Sequence, residues 1–185
     1  MEAWLRKHPK WAASKQELAI DITRLEWADI AAFDGKEEPP LRAEELGEHA
    51  GANLRLRLQP YMSLLDLKYP VDDLLLEVRK EDEDTDFASN AFQERHKRKR
   101  VQAVAKLKPA EIFLAVHRVD DSVYFRRIER EEFAILRALR DGKVLGKAIE
   151  AAFRRSRVPA EERAGLVQQW FQNWAALGWF CAPAR

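Results

Sequence analysis

The sequence predicts an α+β protein, with an N-terminal helical segment followed by a winged-helix-like module of a small antiparallel sheet and three helices. Three observations predict it. Leu18, Ile22, Leu25, Ala28 and Ala32 recur at helical spacing within residues 15–34, the mark of one apolar helix face. Two β-rich runs, Ile112 to Val119 and Val123 to Ile128, flank Asp120-Asp121-Ser122, which is a hairpin signal. Three helical patterns with short connections follow that hairpin.

On the first helix, Asp21, Arg24 and Asp29 fall on faces other than the apolar one. Pro39-Pro40 interrupts the chain, because proline cannot continue a helix, and residues 41–50 read as a short polar helix ending at Gly51. Leu54, Leu56 and Leu58 alternate with Arg55 and Arg57 and are closed by Pro60; a period of two predicts a half-buried strand. A second apolar run, Met62 to Leu67, ends at Tyr69-Pro70. Val71 to Lys80 follows that proline with Asp72 and Asp73 at its positive end, which favours a helix.

Residues 81–108 carry an acidic run (Glu81, Asp82, Glu83, Asp84, Asp86) and then Arg95-His96-Lys97-Arg98-Lys99-Arg100. Blocks of like charge sit in solvent, so a mobile charged insertion is expected. Beyond the hairpin, the first helix carries Phe133, Leu136 and Leu139 and stops at Asp141-Gly142. The second carries Leu145, Ala148, Ile149 and Ala152. The third starts at Pro159, carries Leu166, Val167, Trp170, Phe171, Trp174 and Leu177, and stops at Gly178, the residue type that closes helices. The expected division is therefore a helical segment over 1–52, a linking strand and helix over 53–80, the insertion over 81–108, and the module over 109–185.

Composition narrows the function. A chain of 185 residues buries roughly 70% of its unfolded surface and needs no metal or disulfide staple. Lys+Arg 32 against Asp+Glu 31 gives a net charge of +1, which argues against a protein dominated by nucleic-acid electrostatics. The single cysteine, Cys181, cannot build a disulfide framework and fits a reducing compartment. Met1 to Lys15 is charged throughout and holds no signal-peptide core. No apolar run is long enough to span a bilayer. A cytoplasmic protein without a membrane partner is expected.

Catalytic chemistry is not visible. The four histidines are His8, His49, His96 and His117. Glu45 and His49 could share a helix face, but two ligands are too few for a metal site. His117 falls on a predicted strand face, as a packed residue. There is no glycine-rich phosphate loop and no nucleophile elbow. A lone cysteine near a terminus is seldom a nucleophile. Asp21, Glu26 and Asp29 share one helix, yet Asp21 and Glu26 do not share a face. No catalytic residue, metal ligand set or cofactor is expected, and the chain reads as a binding protein rather than an enzyme.

A resemblance gives that reading a direction. Ile20-Asp21-Ile22-Thr23-Arg24-Leu25-Glu26-Trp27-Ala28 resembles the "D-x-A-R-L-E-W-A" helix of the HvfC/BufC-type proteins, a family that carries a DNA-binding label. In register, Leu54-Arg55-Leu56-Arg57-Leu58-Gln59-Pro60 resembles the family's "L-x-L-H-P-S" strand, with Gln59 where members tend to have His. Lys68-Tyr69-Pro70-Val71 resembles its "x-Y-P-V" step. Pro109 to Phe153 resembles its C-terminal hairpin and helices, including an "A-L-x-x-G-x-x-L-x-x-A" run at Ala138 to Ala148. The likeness runs from about residue 18 to the end and covers the family's C-terminal portion only. The family's N-terminal helical domain, with its "R-F-x-V-Y-R-N-N-V" motif and the DNA-binding label, has no counterpart among these residues.

The resemblance implies a heterodimeric partner of a multinuclear iron enzyme of the MbnB/TglH type, which modifies ribosomally made peptides and holds the metal itself. The hairpin and three helices are similar to PqqD-like precursor-peptide recognition elements. On that reading an extended precursor peptide pairs with the strand Val123 to Ile128 by strand addition. The candidate contacts are Tyr124, Phe125, Arg126 and Arg127 on the strand, and Gln169, Trp170, Asn173 and Trp174 on the third helix. Arg126 and Arg127 point to opposite faces, so one of them lines the groove. The alternative is a DNA-binding regulator, with Arg98, Lys99, Arg100, Arg154, Arg155 and Arg157 as phosphate contacts. DNA-reading helices present Arg, Lys, Asn or Gln to base edges; the third helix offers glutamines and an asparagine among aromatics, with few charges.

Overall fold

The computed structural model describes residues 1–11, 15–41, 51–83, 104 and 107–181. The fold is α+β. Its elements are α1 (Glu2–Lys7), a 3-10 turn (Pro9–Trp11), α2 (Gln16–Asp34), β1 (Arg57–Leu58), β2 (Ser63–Leu67), α3 (Val71–Glu83), β3 (Ile112–Val119), β4 (Ser122–Ile128), α4 (Arg130–Arg140), α5 (Leu145–Phe153), α6 (Ala160–Ala176) and β5 (Phe180–Cys181). Among the described residues no helix is long and apolar enough to cross a membrane. The predicted helix after Leu41, the Glu45–His49 pair and most of the charged stretch 81–108 lie outside the described residues, with His96, Arg98, Lys99 and Arg100.

The chain forms two compact units. One comprises Met1–Trp27 and Asp66–Ile112, the other Ala28–Leu65 and Phe113–Arg185. In the first, α2 buries Leu18 and Leu25, as its periodicity predicts, and also Ile20, which lies off the predicted face, whereas Ile22 is only half-buried. Gln16 donates to the carbonyl of Leu5 at 2.8 Å and holds α1 to α2. Asp21 departs from expectation: it is buried, not on an outer face. Its Oδ2 accepts the backbone N–H groups of Lys68 (2.7 Å) and Tyr69 (3.0 Å). Arg24 lies 3.6 Å from the same carboxylate and donates to the carbonyl of Asp66 at 2.7 Å. The aspartate and arginine of the "D-x-x-R" helix thus clamp the chain just before Pro70.

Burial holds the Asp21 carboxyl above its ordinary range, and the two backbone donors partly offset this. Asp21→Ala leaves both N–H groups without their acceptor. It is expected to cost about 2–3 kcal/mol, the range for orphaned buried donors and lost charge-assisted bonds. Urea unfolding measures it, and a loss below about 0.5 kcal/mol would contradict the clamp.

In the second unit, β3 and β4 form the predicted hairpin, registered from Phe113 opposite Ile128 to Val119 opposite Ser122. Asp120 and Asp121 adopt φ of 47° and 60°, the left-handed conformation that a two-residue hairpin turn requires and aspartate tolerates. The three-stranded sheet has the order β2-β3-β4. Helix α4 opens with a capping box between Glu129 and Glu132, a device that satisfies the first helical N–H groups. The third helix ends where Gly178 takes φ 65°. Ile135, Leu136, Leu139, Ala148, Trp174 and Trp179 are fully buried in the core of this unit.

The Leu54–Pro60 strand shrinks to Arg57–Leu58. Its alternation survives, since Leu56 and Leu58 are buried and Arg55 and Arg57 exposed, but its partner is short. That partner is β5. Cys181 lies opposite Arg57, Phe180 opposite Leu58, and Cys181 also bridges to Pro40. Leu41 N–H donates to the carbonyl of Phe180 at 2.8 Å, and Gln59 N–H to that of Trp179 at 2.9 Å. Cys181 is therefore a buried strand residue, not part of a loose tail. The side chain of Gln59, also buried, accepts from the N–H of Glu38 (3.0 Å) and donates to its carbonyl (2.8 Å).

Candidate functional site

In the order β2-β3-β4, strand β4 is an edge, and an edge presents backbone donors and acceptors to an extended partner. Residues directly opposite in the hairpin share a face. Tyr124 opposes His117, Arg126 opposes Ala115 and Ile128 opposes Phe113, whereas Val123, Phe125 and Arg127 oppose Arg118, Val116 and Leu114. The first face packs against α4 and Trp179, and the second is buried as well at Leu114 and Val116. The Phe113 ring is 4.9 Å from Phe133 of α4, and His117 is 5.2 Å from Trp179. Arg126 therefore belongs to the face that packs on α4 and Arg127 to the opposite one. Tyr124, at the rim, is 50% exposed; Arg126 is half-buried and Arg127 exposed.

Two ionisable residues that the sequence did not single out as site residues stand with Arg126. His117 is 3% exposed and stacks on Tyr124 at 5.8 Å. Among the described residues, Nδ1 of His117 and Nε1 of Trp179 are buried without a hydrogen-bond partner. Desolvation, helped by the positive Arg126, pushes the His117 pKa down to about 4, so the ring is neutral at physiological pH. Glu132, from the first turn of α4, is 4% exposed. Burial pushes its carboxyl above the ordinary range, against the N–H of Trp174, the N–H of Glu129 and the charge of Arg126. One signal for His117 was available, since it alternates with Phe113 and Ala115 on an apolar strand face. Glu132 carried none beyond its place in a capping box.

The third helix corrects the expected groove. Trp170 is 7% exposed and stacks on Phe153 at 6.1 Å. Trp174 is fully buried, packs on Phe171 at 4.8 Å and donates Nε1–H to Glu132 Oε1 at 2.7 Å. Both tryptophans are core, as an aromatic stripe at helical spacing facing a sheet must be, and neither supplies ligand-facing area. Gln169 is exposed and Asn173 half-buried. Phe125 is half-buried on the second face of β4. The residues gathered on the face of the edge that packs on α4 are thus Tyr124, Arg126, His117 and Glu132.

Arg154, Arg155 and Arg157 are exposed together in the connection between α5 and α6. Among the described residues no group of three or more His, Cys, Asp or Glu is placed to hold a metal ion. Cys181 is buried and its thiol is pushed up by desolvation, the opposite of an activated nucleophile. Comparison of the chain with protein-family models, with curated proteins and with solved structures finds no match.

Proposed function

We propose that this protein is a non-catalytic partner that recruits a ribosomally made precursor peptide to a multinuclear iron-dependent, peptide-modifying enzyme of the MbnB/TglH type. The identity of the enzyme class rests on the sequence resemblance to HvfC/BufC-type proteins. The observation that carries the peptide-binding part is the edge position of β4 in the sheet of the described residues. An extended peptide adds to such an edge through its main chain, and alternate side chains supply selectivity. Next to β4 those side chains would meet Tyr124 and Arg126, an aromatic ring and a guanidinium, so a peptide alternating apolar and acidic residues is favoured.

The test is titration of a candidate precursor peptide against the wild type, Arg126→Glu and Arg127→Glu. Arg126→Glu is expected to weaken binding about tenfold, through the loss of a charge-assisted contact, while Arg127→Glu changes it little because it lies on the opposite face. Unchanged affinity in both variants would move the site off this edge. The second reading, a DNA-binding regulator, is favoured by the exposed Arg154, Arg155 and Arg157. It requires duplex affinity that falls steeply with salt and that drops when those three arginines are replaced.

A further inference from the structure

Helix α2 is apolar on two sides, and only one of them is buried. Leu18, Leu25, Ala28 and Ala32 are 0–4% exposed, but Trp27, Ile30 and Phe33 are 60%, 49% and 59% exposed. These three follow one another at intervals of three residues, so their side chains form one stripe along the helix. Single exposed apolar residues are ordinary, whereas a contiguous stripe of large ones marks an interaction surface. The exposed charges on the stripe itself are carboxylates, while the nearby cations are paired elsewhere: Arg118 donates to the Phe33 carbonyl and pairs with Glu37, and Lys36 pairs with Glu38. Glu26 stands one turn before Ile30 and Asp34 one turn after, both exposed. No Lys or Arg lies between Glu26 and Asp34, and Arg24, on the turn before, is engaged with Asp66.

From this surface we infer that the α2 stripe docks a partner protein through an amphipathic helix carrying Lys or Arg beside an apolar ridge. The apolar ridge covers Trp27, Ile30 and Phe33, and the basic residues answer Glu26 and Asp34, the helix-on-helix mode of recognition. Charge disfavours the other occupants. A second copy packing antiparallel about a two-fold axis would bring Glu26 near the copy's Asp34, like charge against like. An anionic lipid surface attracts basic segments and repels this acidic one. The inference goes beyond the peptide-recruiting reading and does not depend on it, since β4 takes no part.

The probes are two synthetic amphipathic helical peptides of one pattern, one of Leu and Lys and the other of Leu and Glu. Calorimetric titration should show binding of the Leu/Lys peptide only, with chemical-shift changes at the Ile30 methyls. Ile30→Asp should abolish that binding, and Glu26→Lys with Asp34→Lys should weaken it tenfold or more and admit the Leu/Glu peptide. Circular dichroism of each variant checks that the helix persists; the exposed positions make loss of fold unexpected. Arg126→Glu should leave this binding unchanged, so its failure and that of the peptide-edge reading are separable. Equal binding of both peptides, or binding that survives Ile30→Asp, overturns the proposal. So does self-association in sedimentation that Ile30→Asp removes, or adsorption to phosphatidylcholine–phosphatidylserine vesicles in place of the Leu/Lys peptide.

Discussion

Acidification is expected to remove about 3 kcal/mol of stability through His117 alone. Unfolding exposes the ring and lets it take up a proton that the folded state refuses, and each tenfold change in protonation preference is about 1.36 kcal/mol. The folded pKa is about 4 against an ordinary 6.5. Because it is depressed, the contribution is complete above about pH 6.5 and is lost as pH falls toward 4. Burial is the larger cause and the Arg126 charge the smaller. Asp21 and Glu132, whose carboxyls are held high by burial, act in the opposite sense at the lower end of that range. The clean measurement is therefore a difference. Urea unfolding of wild type and His117→Leu across the window should give a stability difference that shifts by about 2–3 kcal/mol. A difference that stays flat from about pH 7 to 4.5 would mean that the ring is not desolvated as described.

Trp174→Phe is the second large effect. The substitution keeps an aromatic ring in the core but removes the N–H that Glu132 accepts at 2.7 Å. A buried carboxylate that loses its donor costs about 1–3 kcal/mol, beyond a smaller packing loss. The cost should depend on pH, with a sign fixed by the direction of the shift. The raised Glu132 carboxyl favours its protonated form in the folded state. That preference stabilises below the ordinary glutamate pKa and is lost as pH rises through the folded value. The Trp174 N–H opposes the rise, so removing it pushes the carboxyl higher still. Trp174→Phe should thus be more destabilising at about pH 8 than at about pH 5, and the difference should largely disappear on the background Glu132→Gln. Equal losses at both pH values would assign the whole effect to packing.

Periodic elements were legible because their signals are local. The alternation across Asp120-Asp121 specified the β3–β4 hairpin, and the spacing of Phe133, Leu136 and Leu139 specified α4, each through neighbours a few residues away. What escaped depends on distant pairing. Nothing around Cys181 announces a strand, because β5 has only two residues and exists by virtue of Arg57 and Pro40. Asp21 reads as solvent-facing by its chemistry, and only the N–H groups of Lys68 and Tyr69 explain its burial. The candidate site was half legible. An edge strand with Arg126 and Arg127 on opposite faces follows from period two alone. Which arginine faces the helices, and that Trp170 and Trp174 are core, follow from how α4 and α6 cover the sheet.

Gln59 carries a consequence for what this position can accept. A primary amide presents one acceptor and one donor side by side, as a peptide group does. By grasping both the N–H and the carbonyl of Glu38, Gln59 acts as a single rung of ladder in a place where no strand runs. The requirement is one of hydrogen-bond parity, not of size. Glutamate would set a second acceptor against the Glu38 carbonyl, and methionine would leave both groups unanswered. A histidine carries its two nitrogens on diverging sides of a ring, so it could not close the same two-point grip on one residue. In this chain the segment after α2 is therefore fastened by a side chain that imitates main chain.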